Sequence, residues 1–167
     1  TIGNKTEISL TDEQRNAFEK LSALAGSGKP CVSLLYGVTG SGKTSVYMSV
    51  IDKVLESGKS VIVMVPEIGL TPQTISLFCK RYGGDIAVFH SALSVRERLD
   101  QWKNVKKGQA KIIIGTRSAV FAPAENIGLI IIDEEQEHTY KSEQTPRYNA
   151  IDVAKYRAAY NKCLVLL

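Results

Sequence analysis

Eight consecutive residues, Gly37-Val38-Thr39-Gly40-Ser41-Gly42-Lys43-Thr44, satisfy G-x-x-x-x-G-K-[ST] in full. Glycines let successive backbone N–H groups converge on a phosphate, and a helix opening at Lys43 adds its orphan amides and the positive end of its dipole. In that pattern Gly37, Thr39, Gly40, Ser41 and Gly42 cradle phosphates. Lys43 sets an ammonium between β- and γ-phosphates, and the Thr44 hydroxyl binds Mg²⁺. A glycine-rich turn beside a surface lysine is the bland alternative.

A second run supplies the acids such a site needs. The apolar stretch Ile127 to Ile132 ends in Asp133-Glu134-Glu135-Gln136. Adjacent carboxylates at the carboxyl end of a buried strand are costly unless a cation or a reacting water uses them. Asp133 is then expected to hold Mg²⁺ through its waters. Glu134 polarises the water that attacks the γ-phosphate in line. Alone, the segment reads equally as a solvated acidic helix start; the phosphate loop upstream decides for a nucleoside triphosphatase, with Lys43 and Glu134 as its catalytic pair.

These residues need a scaffold, and the sequence outlines one. Strand-length apolar runs at Cys31–Tyr36, Ser60–Val65, Ile86–Phe89, Lys111–Gly115, Gly128–Ile132 and Cys163–Leu167 alternate with helical spacing. Several runs are apolar throughout, as strands covered on both faces are. An α/β fold follows, a mostly parallel sheet flanked by helices on both faces. The first helix is expected from Thr11, with Gln14 closing a capping box, to about Gly26. Others are expected at Lys43–Ser57, Thr71–Tyr82, Val95–Lys107 and Tyr148–Tyr160, stopped by Gly58, Gly83-Gly84 and Gly108.

Composition bounds the rest. The 167 residues are 44% hydrophobic and 23% charged, without a membrane-length apolar run, which excludes membrane, fibrous and disordered classes. Lys and Arg number 21 against 17 Asp and Glu, a net charge of +4 that permits a polyanionic partner without demonstrating one. Cys31, Cys79 and Cys163 have no C-x-x-C spacing, so no zinc site is expected and they read as reduced core thiols of a cytosolic protein. The chain starts at Thr1 and stops within Leu164–Leu167. It reads as one domain, 1–167, taken from a longer protein.

In chain order, the phosphate loop, Val65-Pro66-Glu67-Ile68-Gly69-Leu70-Thr71-Pro72-Gln73, Gly115-Thr116-Arg117-Ser118-Ala119-Val120-Phe121-Ala122-Pro123 and Asp133-Glu134-Glu135-Gln136 resemble motifs I, Ia, Ib and II of superfamily 2 helicases. More closely, the strings resemble the PriA family of bacterial replication-restart helicases, from about Leu10 onward. The resemblance implies a RecA-like P-loop NTPase lobe, the first of two. It further implies ATP and Mg²⁺ as ligands, 3′ to 5′ translocation on single-stranded DNA, forked DNA as a substrate, and a cytoplasmic location in a bacterium. Other primosome proteins and single-stranded DNA-binding protein are the implied partners; a membrane is not.

Carried over residue by residue, the resemblance puts Thr71, Gln73, Thr116, Arg117 and Ser118 on the DNA backbone. Hydroxyl, amide and guanidinium donors hold phosphates without reading bases. Thr71 capping a helix and Arg117 in a structural ion pair are the open alternatives. His90-Ser91 also resembles a DNA-side motif. The segment from Glu137 to Tyr148 resembles the aromatic-rich loop that reports DNA occupancy to the ATP site, with Tyr140, Lys141, Arg147 and Tyr148 as stacking and phosphate candidates. An ordinary polar loop with packed tyrosines is the alternative. Gln14 resembles an adenine-reading glutamine, in competition with its capping role.

Departures from the family pattern stand at Gln136, usually His, and at Asn149 and Ile151, usually His and Arg. The second lobe, with its arginine finger worth about 10³ in rate, is not in this sequence, so the fragment alone is expected to turn over almost no ATP. Two further readings remain: another superfamily 2 translocase of RecG-like or restriction type, and a catalytically idle DNA-binding or partner-docking module.

Overall fold

The structure, a computed structural model, describes residues 8–38 and 40–167. Along the chain run α1 (Asp12–Gly26), β1 (Cys31–Ser33), α2 (Lys43–Glu56), β2 (Ser60–Met64), α3 (Pro72–Tyr82), β3 (Ile86–Phe89) and α4 (Val95–Lys106). There follow β4 (Ile112–Gly115), β5 (Ile127–Ile132), β6 (Lys141–Ser142), β7 (Tyr148–Asn149), α5 (Ala150–Asn161) and β8 (Leu164–Leu166). The main sheet has the order β1-β8-β5-β2-β4-β3, and its neighbours all pair in parallel. β6 and β7 form a separate antiparallel pair.

Local sequence explains most boundaries. Thr11 accepts from the Gln14 amide while the Gln14 side chain accepts from the Thr11 amide at 2.9 Å, the capping box expected at the start of α1. Ser94 and Glu97 build a second box on α4, and Thr71 with Pro72 opens α3. β1 ends at Ser33 and not at Tyr36, because as an edge strand it has β8 as its sheet neighbour and the paired register ends at Ser33–Leu166. α5 starts two residues later than expected. Tyr148 and Asn149 pair with β6, and Asn149 Oδ1 then caps the helix by accepting from the Ile151 amide at 2.9 Å.

The sheet separates two apolar layers. Leu21, Val50, Ile51 and Phe78 of α1, α2 and α3 pack on the face bearing Val61, Val63, Ile112 and Leu129. Val105, Ala150, Ala154 and Ala158 of α4 and α5 pack on the face bearing Ile62, Met64, Ile113 and Ile130. Every residue of β5 is buried, so its continuous apolar run reports a strand covered on both sides. At β3, the outer edge, the Val88 amide donates to the Gln101 side chain of α4 at 3.1 Å. The cysteine expectation holds for Cys163, which is buried, but Cys79 lies exposed on α3. No helix of the described residues is long and apolar enough to cross a membrane.

Candidate functional site

The nucleotide-type residues collect at the carboxyl ends of β1, β5 and β8, where open parallel sheets place ligands. Gly40 and Gly42 sit in the left-handed region at φ 82° and 79°. A side chain at Gly42 would be strained and would also collide with the Gln14 amide. α2 begins directly at Lys43 with no side-chain cap, so its first N–H groups face the loop. Lys43 Nζ donates to the Gly37 carbonyl, and Ser41 N donates to the Val38 carbonyl at 3.1 Å, folding the loop on itself. Thr39 lies outside the described residues.

Gln14 Nε2 donates to the Ser41 carbonyl at 3.1 Å while its Oε1 closes the capping box. The capping reading is therefore present, and the same side chain ties α1 to the phosphate loop. Both of its polar ends have protein partners here.

Asp133 continues the β5 ladder through its amide, which donates to the Met64 carbonyl at 2.9 Å. Burial pushes its carboxyl group up, and the neighbouring Glu134 charge adds to this; the Glu134 amide, 3.2 Å from Oδ1, and the Lys43 ammonium pull the other way. Glu134 has φ 52° and its Oε2 accepts from Gln136 Nε2 at 2.6 Å. Gln136 thus holds the carboxylate expected to act as base.

Lys43, Asp133, Glu134 and Gln136 line one cleft of about 580 Å³ with Gly37 and Tyr47. Tyr47 escaped the sequence reading. Its phenol is pushed up to about 12, first by burial; the Thr44 side chain lowers it and Asp133 raises it again. Its i+4 spacing from Lys43 on an identified helix was the available signal. Thr44 and Asp133 fit a magnesium ion, which takes one or two protein oxygens and completes its shell with waters and substrate phosphates. No cluster of three metal-ligating side chains occurs among the described residues, and such an ion does not require one.

A second cleft, of about 560 Å³, brings Leu70, Pro72 and Ser76 together with His90, Ser91 and Thr116. Of the DNA candidates, Thr116 lines it and is 6% exposed. Thr71 caps α3, accepting from the Thr74 amide at 3.2 Å, while Gln73 and Ser118 are exposed. Gly115 fits because a Cβ there would collide with the Phe89 carbonyl, so the turn into Thr116 packs directly on β3.

Arg117 makes no ion pair among the described residues. Its Nη1 donates to the carbonyls of Lys141 at 2.7 Å and Thr139 at 3.2 Å, and the guanidinium lies 5.7 Å from the centre of the Tyr148 ring. Tyr148 meets Phe121 edge-on at 4.9 Å and is half-buried; Lys141 and Arg147 are exposed. Tyr140 corrects the stacking reading and follows the alternative of a tyrosine packed on the lobe. At 1% exposure its ring belongs to the core and cannot stack on a base, and its hydroxyl lies 2.6 Å from the Asp133 carbonyl and 3.2 Å from that of Met64. Its position in a polar run left the two readings open, since its burial depends on the return of the chain over β5.

Arg157 was also unforeseen. From α5 it donates to the carbonyls of Val120 at 2.6 Å, Ala122 at 2.9 Å and Ala124 at 3.2 Å, pinning the segment that follows Arg117.

Residues 11–166 match the DEAD/DEAH box helicase family model. The chain is similar to the replication restart protein PriA of Bacillus subtilis, 51% identical over 98% of this chain and 20% of the relative. It is also similar to the PriA of Synechocystis, 46% identical over 95% of this chain and 19% of the relative. It thus spans about a fifth of these proteins' length. In fold it is similar to the UvsW helicase from bacteriophage T4, with TM-score 0.63 and 15% identity over 99% of this chain and 55% of that one. The Pyrococcus furiosus Hef helicase domain gives TM-score 0.62 and 20% identity over 92% of this chain and 31% of that one. The expected RecA-like α/β fold is met, and the order of motifs along the chain finds its explanation: this chain belongs to the DEAD/DEAH box helicases, with replication restart proteins PriA among its relatives.

Proposed function

We propose that residues 1–167 form the first motor lobe of a longer replication-restart helicase, which couples ATP hydrolysis to 3′ to 5′ movement on single-stranded DNA. The observation that carries this reading is the convergence of Lys43 with Asp133 and Glu134 in one cleft at the carboxyl end of a parallel sheet. The names of the PriA relatives support the replication-restart assignment, and the family resemblance supports the direction of travel.

On binding ATP, Lys43 exchanges the Gly37 carbonyl for the β- and γ-phosphates, a stronger charge-assisted contact. The amides of Gly37 to Thr44, Thr39 among them, hold the phosphates, and Gln14 turns its amide toward adenine. Thr44 and Asp133 would hold a magnesium ion, which would supply Lewis-acid neutralisation of the phosphate charge. Glu134 leaves Gln136 and orients the attacking water. Thr71, Gln73, Thr116, Arg117 and Ser118 grip the DNA backbone, with Lys141, Arg147 and Tyr148 close to it. Forked DNA, primosome proteins and single-stranded DNA-binding protein are the partners this reading assigns.

The test is ATP turnover by the full-length protein with and without single-stranded or forked DNA, together with unwinding of duplexes bearing a 3′ or a 5′ tail. Stimulated turnover and unwinding restricted to one tail polarity are expected. Nucleotide-independent DNA binding with no turnover leaves a docking module instead.

A further inference from the structure

Three large apolar side chains that the fold leaves to solvent stand in line on α4. Val95, Leu99 and Trp102 are 86%, 48% and 42% exposed. Their spacing of four and then three residues puts them on one face of the helix, the d-a-d seam of a heptad pattern. α4 holds the sheet by a different face, through buried Val105 and through Gln101, whose side chain accepts from the Val88 amide. An apolar seam left open beside that packed face is surface a second helix can cover. It runs about 10 Å along the helix. Lys106 ends it at the next heptad step, paired with exposed Glu125 at 2.9 Å.

The charges beside the seam select what can cover it. The e and g positions that flank it hold Arg96, Arg98 and Lys103, all exposed. The acids of α4 lie off these flanks: Glu97 closes the capping box with Ser94, and Asp100 takes the b position. Charges at e and g govern partner choice between helices. A second copy of α4, in either orientation, would set cations against cations, so the seam disfavours itself. We infer that the Val95–Leu99–Trp102 face of α4 docks an amphipathic helix of a protein partner, one with an apolar seam of its own and Asp or Glu at the flanking positions. Trp102 is the anchor of this contact, since buried aromatic side chains dominate such interfaces. No residue of α4 lines either cleft described above, so the partner leaves both open.

The test uses the full-length protein and two fluorescein-labelled helical peptides of three heptads, both with Leu at a and d, one with Glu and one with Lys at e and g. Fluorescence anisotropy is expected to show saturable binding of the Glu peptide. The Lys peptide is expected to bind about tenfold more weakly or worse, as three exposed charge pairs turn from attraction to repulsion. Trp102→Ala is expected to weaken the Glu peptide by about tenfold, the loss typical of an aromatic anchor. Arg96→Glu combined with Lys103→Glu is expected to invert the preference between the peptides. Both positions are exposed, so this variant keeps the test open if the tryptophan variant fails to fold. Equal binding of the two peptides, or a preference that charge reversal leaves unchanged, overturns the proposal. So does absence of binding with slow hydrogen exchange throughout α4, which would mean that another part of the same protein covers the seam. A dimer of the unmodified protein that Trp102→Ala dissolves would give the face to a second copy, and overturns it as well.

Discussion

The Tyr140 hydroxyl sits 2.6 Å from the carbonyl oxygen of Asp133, a contact that ties the polar segment after the acid pair back to the strand end that presents it. Asp133 is itself joined to β2 through the Met64 carbonyl, and Tyr140 reaches that same carbonyl at 3.2 Å. One phenol thus sits between the two strands whose ends carry the acids and the Val65–Gln73 segment.

Tyr140→Phe is therefore expected to cost about 1–3 kcal/mol of stability, because a buried carbonyl contact is lost while the ring still fills its space. Tyr140→Ala is expected to cost more, about 3–5 kcal/mol, by adding a cavity. Denaturant midpoints measure both. A loss of under about 0.5 kcal/mol for the phenylalanine variant would place the hydroxyl outside any stabilising contact.

Lys43→Ala in the full-length protein is expected to lower ATP turnover by about 10²–10³-fold or more, the loss seen when one preorganised donor to a charged transition state is removed. Binding to forked DNA, followed by fluorescence anisotropy, is expected to stay within about twofold, since Lys43 faces the cleft with Asp133 and not the one lined by Thr116. Parallel loss of both activities would contradict that separation.

Asp133 predicts a pH effect whose sign follows from its raised pKa. The folded state holds the Asp133 proton more tightly than the unfolded state does, so this group lowers stability as pH rises through the ordinary carboxylate range and above. Asp133→Asn is accordingly expected to raise Tm by a few degrees at pH 7 while abolishing turnover. The gain shrinks as pH falls toward 4 and the native carboxyl group takes up its proton. Calorimetry across that range checks it; a gain that grows at low pH would reverse the assignment.

Arg157→Met is expected to destabilise the chain by about 2–4 kcal/mol, because three carbonyls lose a charged donor and the shorter apolar chain offers none in return. Equilibrium unfolding measures the loss. The partly buried guanidinium is itself shifted down by desolvation, so an equally stable variant would show that desolvation cancels the three bonds.

Much of this architecture was legible beforehand because it is encoded locally. The capping pair Thr11–Gln14, the glycines that stop helices and the all-apolar β5 each act within a few residues. The phosphate loop and acid pair were equally plain. Tyr47 and Arg157 were not, and Tyr140 stood between two readings, for a common reason: each is defined by what lies opposite it in space. Tyr140 sits in a polar stretch and becomes core only when its segment folds over β5. Arg157 looks like any cation on an exposed helix until α5 is set beside the carbonyls of residues 120–124. The β6–β7 pairing, two residues per strand, is too short to show a period.

The Gln101 side chain that receives the Val88 amide occupies one outward-facing donor of the edge strand β3. With that outer donor occupied by a helix, a stray strand approaching from the β3 side finds its docking rung taken, which is how folded sheets discourage unwanted stacking of copies. The opposite margin of the sheet is β1, which leads into the phosphate loop.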